Sequence, residues 1–434
     1  MHGTDPDADL TTASARLRGE GVRFVRVMHP DPFGRARSKD VPVDSLRAVL
    51  GGLGYCEASL VEGLDGEPLM DAEFPGGQGF PDVHAVPVPG TLRIAPWEPG
   101  TAWLLADLRG ADGRPSPLCC RSVLAGQVAA LARDGLRAVV ASEPEFYLVR
   151  EDRSLYSPGT GMAYTTGVRA DPEGVLRDLH LAVDGFGIGA TTANREFSPG
   201  QFEINLAHTD ALDAADRAFL LEEVVKDVAA THGLLATFMA KPFTEHEGSS
   251  HHVHVSLWRD DDNVFAAADG GLSQLAQAFA GGVLAHAPGL TALASPTVNS
   301  YKRLAAVGSL VPAGAALAGD DRLSYLRVPS ERGAATRLEV RAGDASANPY
   351  LLITGILAAG RDGIARGLDP AAFARAELPA SLGDAVAALE RDDVLCDALG
   401  NRLVAVLAAL KRRECARYAA TVTDWEWREY ARHA

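Results

Sequence analysis

Alternation of apolar and polar positions with period two marks several strands in this chain of 434 residues. In an extended strand, side chains two apart point to one face. Residues 22–28 (Val-Arg-Phe-Val-Arg-Val-Met) read as a strand. So do three later segments whose polar face is charged: Glu143-Pro-Glu145, His252-Val-His254 and Arg337-Leu-Glu339-Val-Arg341. Each lies in apolar, strand-like sequence, so each predicts a strand with one wet and one greasy face. A period near 3.6 predicts helices elsewhere. Leu124, Val128 and Leu131 share a face before Gly135; Leu221, Val225 and Val228 share one in a helix over 211–232. A further helical stretch lies near 272–286. Asn348-Pro-Tyr350 opens another helix, and the tail is helical, with Ser381-Leu-Gly-Asp384 resembling a capping box and Leu403, Leu407 and Leu410 on one face.

The first region is short-stranded and loop-rich. Asp31-Pro-Phe-Gly34 reads as a turn, residues 68–90 as a long loop, and 91–107 as two strands around a Pro96–Gly100 turn. A linker near Asp112-Gly-Arg-Pro115 ends it. The remainder mixes strands and helices without a βαβ rhythm. The expectation is an α+β fold with an antiparallel sheet, divided into a disordered tail (1–10), a small N-terminal β domain (11–110) and a large second domain (111–434).

The net charge of −16 makes a nucleic-acid duplex a poor partner. Five cysteines without C-x-x-C spacing argue against a disulfide framework or a cysteine zinc site and fit a cytoplasmic protein. There is no apolar run of 18 residues or more, so no membrane span is expected.

The chemistry lies on the charged faces. Glu143 and Glu145 would repel each other unless cations sit between them; a solvated acidic strand would look the same. Glu196-Phe-Ser-Pro-Gly-Gln-Phe-Glu203 brings two more carboxylates around a turn, or is an ordinary charged hairpin. His252 and His254 among carboxylates suit Mn²⁺ as well as Mg²⁺, or are one packed and one exposed histidine. Arg303, Arg322, Arg327, Arg337 and Arg341 offer forks for carboxylate and phosphate; a salt-bridge ladder around Glu339 is the bland alternative. Together, five carboxylates, two histidines and five arginines ask for divalent ions and a polyanion. Phosphoryl transfer from a nucleotide is the simplest reading. No P-loop motif is present.

The order of these motifs resembles the type I glutamine synthetase family. Glu-Pro-Glu-Phe (143–146), Glu-x6-Glu (196–203), Lys-Pro-Phe…Gly-Ser-Ser-His-His-Val-His-Val-Ser (241–256), Asn-Ser-Tyr-Lys-Arg (299–303) and Arg-Leu-Glu-Val-Arg…Ala-Asn-Pro-Tyr (337–350) carry the resemblance. It implies a β-grasp domain before the catalytic domain, and a dodecamer of two hexameric rings with active sites between subunits. It implies one Mg²⁺ or Mn²⁺ on Glu145, Glu196 and Glu203, and a second on Glu143, His252 and Glu339. His254, Ser256, Arg327 and Arg337 would meet ATP. Arg303, Arg341, Gly248 and Glu145 would hold glutamate. Arg322 would steady the transferring phosphoryl group, with Glu196 and Arg303 completing the catalytic set.

The departures from the family are local. Where glutamine synthetases carry the Asp that helps bind ammonium, Tyr55-Cys-Glu-Ala-Ser59 places Cys56. Their flap carries a Glu that closes the ammonium site; after Arg303 there is no acid here before Asp320. Glu247-Gly-Ser-Ser also replaces the usual Asn-Gly-Ser-Gly. The pattern looks like that of the γ-glutamyl-amine ligases (γ-glutamylpolyamine and γ-glutamylethanolamide synthetases), which join glutamate to polyamines, ethanolamine or other amines; the resemblance implies an organic amine as nucleophile. The loop 65–82, with Asp65, Glu67, Asp71, Glu73 and Asp82, either attracts a cationic amine or is merely solvated. Rival readings are an ordinary glutamine synthetase with Glu57 or Glu62 standing in for the missing acid, a catalytically silent homologue, and a different phosphoryl-transfer ligase.

Overall fold

In the computed structural model, described for residues 10–70, 79–157, 159, 162–306, 310–312, 314–374 and 376–433, two sheets carry the chain. The expected disordered tail at 1–9, and Asp71 and Glu73 of the acidic loop, lie outside the described residues.

The first sheet contains β1 (Phe24–Pro30), β2 (Ala36–Pro42), β3 (Leu53–Cys56), β4 (Asp82–Pro87), β5 (Arg93–Ile94) and β6 (Thr101–Arg109). Its order is β2-β1-β6-β4-β3, with β5 beside β6 and a central parallel β1–β6 pair. Val25 and Val27 of β1 are fully buried, as period two requires. The stretch 68–90 is not all loop. Val83, Ala85 and Pro87 of β4 alternate inward, and an edge-tolerated proline plus the surrounding Gly and Pro residues hid that period. The predicted turn at Asp31–Gly34 is present. Gly34 has φ +81°, and the Asp31 carboxylate accepts the N–H of Phe33 (2.9 Å) and of Arg35 (3.1 Å). A Cβ on Gly34 would sit 3.3 Å from the Cα of Asn348, so glycine serves both the backbone angle and the close approach.

The second sheet contains β7 (Arg137–Val149), β8 (Ala190–Arg195), β9 (Gln201–Leu206), β10 (Thr209–Asp210), β11 (Leu235–Thr237), β12 (His251–Arg259), β13 (Asp262–Asn263), β14 (Leu317–Ala318), β15 (Leu326–Arg327) and β16 (Leu338–Val340). Its main path, β14-β15-β16-β12-β7-β9-β8, is antiparallel apart from β14–β15. Register decides what meets on its polar face. His252 stands opposite Glu143, His254 opposite Glu339, Glu145 opposite Glu203, and Arg327 opposite Glu339. Directly paired residues share a face, so one row of charge crosses five strands.

The intervening residues, Val253, Val255, Leu338, Val340, Phe146 and Leu148, are buried on the other face. Helices Ala211–Thr231, Gln274–Ala285 and Pro349–Arg366 build the core there. A Cβ at Gly282 or Gly363 would run into the backbone of the facing helix, so glycine lets the latter two cross closely. Asn348, the N-cap of Pro349–Arg366, donates its Nδ2 to the Asp31 carbonyl at 3.1 Å and ties the turn after β1 to that helix.

Candidate active site

The row opens into a cavity of about 670 Å³ lined by Glu143, Glu145, Glu196, Glu203, Gly248, His252, His254, Arg322, Arg327, Arg337, Glu339 and Arg341. Twelve of the fourteen residues expected from the sequence therefore converge. Ser256 instead lines an adjoining cavity of about 280 Å³ that shares Glu143, His254 and Arg337 with the first. Arg303 is not among the lining residues of either. It lies buried behind Gly248, whose added Cβ would strike its side chain, and it donates Nη2 to the Ser250 hydroxyl at 2.8 Å.

Two sets of donor atoms fall within 4.8 Å of one another: Glu143, His252 and Glu339, and Glu145, Glu203 and His252. The first set is the expected second metal group. In the other, His252 takes the place expected of Glu196, whose Oε1 accepts a hydrogen bond from Asn194 Nδ2 at 2.7 Å. His252 Nδ1 lies 3.7 Å from Glu339 and 3.9 Å from Glu143, and its Nε2 has no partner among the described residues. His254 Nε2 lies 3.2 Å from Glu143, while Arg337 Nε donates to its Nδ1 at 3.1 Å. Arg327 and Arg341 both grip Glu339.

The electrostatics are those of a site suited to cations. Burial, then the charge of Glu196, pushes the Glu145 carboxyl up to about 7. Burial, then Glu143, Glu145 and Glu196, holds Glu203 well above the usual carboxylate range. Burial and the neighbouring guanidiniums Arg341 and Arg303 keep His252 well below an ordinary imidazole, hence neutral and able to ligate. Oxygen-rich carboxylates with one imidazole fit Mg²⁺ or Mn²⁺.

Sequence reasoning passed over the groups that hold these ligands in place. Gln201 Nε2 donates to Glu145 Oε2 at 3.0 Å and to the Gly248 carbonyl at 3.1 Å, and Ser250 N–H donates to the same Oε2 at 2.7 Å. The signal was available: Gln201, Glu203 and Asn205 alternate with Phe202, Ile204 and Leu206. Tyr164, Phe197, Leu310 and Val311 also line the cavity unannounced. Cys56 and Glu57 do not line it. Cys56 is exposed, and Glu57 is buried and paired with Arg402 at 2.9 Å. Asp65 of the acidic loop pairs with Arg413 and Arg417.

Residues 117–430 match the model of the glutamine synthetase catalytic domain. The chain belongs to the glutamine synthetase family. It is 34% identical over 443 residues to the glutamine synthetase of Halobacterium salinarum, covering 95% of this chain and 94% of that protein. It is 34% identical over 441 residues to that of Thermus thermophilus, covering 95% and 97%. A solved GmaS–ADP complex superposes with a TM-score of 0.86 at 33% identity, covering 98% of this chain and 99% of that one. A structure described as a novel glutamine synthase homologue gives 0.83 at 31%, covering 95% and 98%. The protein is thus an ATP-dependent ligase with the α+β layout of glutamine synthetases, a family that uses glutamate, ATP and divalent metals. Among the described residues, no helix is long and apolar enough to cross a membrane.

Proposed function

We propose that this ligase phosphorylates the γ-carboxylate of glutamate and passes the γ-glutamyl group to an organic amine rather than to ammonia. The observation that carries the amine is at the wall. Leu310 and Val311, from the stretch where glutamine synthetases keep their flap acid, line the cavity. The two acids named as stand-ins for the lost ones are engaged: Glu57 with Arg402, and Glu62 with Arg37 at 3.2 Å.

In the first step a γ-carboxylate oxygen attacks the γ-phosphorus of ATP, the bond to the bridging oxygen breaks, and ADP leaves. Arg322, Arg327 and Arg337 meet the charge on the transferring group, and Arg341 faces glutamate. In the second step the amine nitrogen attacks the acyl carbon. The C–N bond forms, the C–O bond to phosphate breaks, and of the two protons lost from the ammonium form one leaves with phosphate and one goes to solvent. Glu143, His252 and Glu339 would hold one divalent cation, and Glu145, Glu196 and Glu203 the other. Such ions would offset the repulsion among the acids and would supply the charge that polarises phosphate oxygens. The adjoining cavity with Ser256 and Trp258 suits the nucleotide, and the similar GmaS chain was solved with ADP. Arg303 reaches glutamate only if the wall at Gly248 and Ser250 opens; otherwise it props that wall.

The division into β-grasp (11–110) and catalytic (111–434) domains, and assembly as a dodecamer of two hexameric rings in the cytoplasm, extend the same proposal. ADP release with Mg²⁺ and glutamate tests the amine: small alkylamines should stimulate it far more than ammonium, and stimulation by ammonium alone would refute the reading.

A further inference from the structure

Among the described residues, the cavity lining is polar except at four side chains: Tyr164, Phe197, Leu310 and Val311. Three are large and unusually open, Phe197 at 51%, Tyr164 at 61% and Leu310 at 40% exposure. The Tyr164 backbone N–H bonds to the Arg195 carbonyl at 2.9 Å, which sets its ring beside the segment carrying Glu196 and Phe197. Apolar side chains left open at the mouth of a charged cavity mark a surface that something covers.

Resting on the organic-amine reading above, we propose that these four residues form the acceptor subsite, and that the acceptor is a primary monoamine with an apolar alkyl or aryl substituent. A polyamine is disfavoured on charge. Its second ammonium would lie against apolar walls unless a carboxylate met it, and burying an unpaired charge is costly. The lining carboxylates are mostly committed: Glu143, Glu145, Glu203 and Glu339 to the donor groups, Glu196 to Asn194, and Glu331 to Arg337 at 3.2 Å. Glu247 is the exception. It forms no salt bridge among the described residues, and its N–H bonds to Ser198 Oγ at 2.8 Å, one residue from Phe197. A diamine would have to use it.

The test compares kcat/KM for isobutylamine, benzylamine, ethanolamine, putrescine and ammonium in the wild type and in Phe197→Ala, Leu310→Glu and Glu247→Gln, with ADP affinity as the check that each variant is folded. The wild type should favour isobutylamine or benzylamine over putrescine at least about tenfold, the scale of one or two methylenes in an apolar pocket. Phe197→Ala should erode that preference, Leu310→Glu should shift it toward putrescine, and Glu247→Gln should leave the monoamine values unchanged and lower only the residual putrescine value. Preference for putrescine, or its loss in Glu247→Gln, would overturn the apolar class while leaving an organic amine in place. Turnover with ammonium alone would instead overturn the earlier reading. If Phe197→Ala and Leu310→Glu change subunit assembly but not the amine ranking, the patch is a subunit contact and the subsite is refuted.

Discussion

At the scale of single residues, the site depends on side chains that touch no substrate. Gln201 fixes Glu145 Oε2 and ties it to the Gly248 carbonyl, leaving the other carboxylate oxygen to face the cavity. Partners of metal ligands typically matter 10–100-fold. Gln201→Leu should therefore weaken Mn²⁺ binding by about that factor, read by electron paramagnetic resonance of free Mn²⁺, with turnover falling in parallel. Unchanged Mn²⁺ affinity would remove Gln201 from this role. On the next strand, at the start of β12 and opposite Pro144, His251 is buried with neither ring nitrogen bonded among the described residues, and burial keeps it neutral, at about 4. Leaving such a group unsatisfied costs about 1–3 kcal/mol. His251→Leu should raise the free energy of unfolding by roughly 1 kcal/mol in metal-free protein, measured by urea denaturation; a loss would show that the ring has a partner. Charged residues at strand spacing were legible from the sequence because period two is a local property. Gln201 was not read, because an uncharged side chain signals nothing until its partner across the sheet is known.

At the scale of elements, the long helices were legible from their apolar faces and caps, whereas the contacts that lock them were not. His286, between helices Gln274–Ala285 and Ala287–Ala294, bridges Asp392 (2.7 Å) and Asp362 (3.0 Å), the latter on Pro349–Arg366. Burial alone would lower its pKa, yet the two carboxylates outweigh that and raise it above 6.5. A group raised in the folded state stabilises fully below its unfolded pKa and loses that contribution as pH climbs through the folded value. The stability gap between wild type and His286→Gln should thus be widest below about pH 6 and narrow in alkali; thermal melts across pH check it, and a gap that widens with pH contradicts it. The strand Asp82–Pro87 was missed for a related reason: proline and glycine around it signal loop locally, while its place beside Thr101–Arg109 is a long-range fact.

At the scale of the molecule, register across the sheet turns scattered motifs into one site, and buried charge ties the first sheet to three of the helices. Arg121 binds Asp216 through Nε at 2.9 Å and Nη2 at 3.0 Å, and reaches Asp107 of the first sheet at 2.9 Å; Tyr350 OH donates to Asp216 at 2.8 Å. Breaking one side of a buried pair typically costs 3–5 kcal/mol. Arg121→Met should destabilise the protein by about that much, seen as a lower denaturation midpoint, whereas a neutral effect would mean that the first sheet and these helices are held by packing alone. The sequence could not supply this link, nor the position of Arg303 behind Gly248, since both arise from residues far apart in the chain.

The central claim is that glutamate is activated as an acyl phosphate before an amine takes it. Glutamate labelled with ¹⁸O in its γ-carboxylate, incubated with ATP, Mg²⁺ and isobutylamine, tests it directly. One labelled oxygen should appear in inorganic phosphate for each γ-glutamyl amide formed, detected by mass spectrometry. Amide and ADP formed with unlabelled phosphate, or ATP consumed without amide, would contradict it.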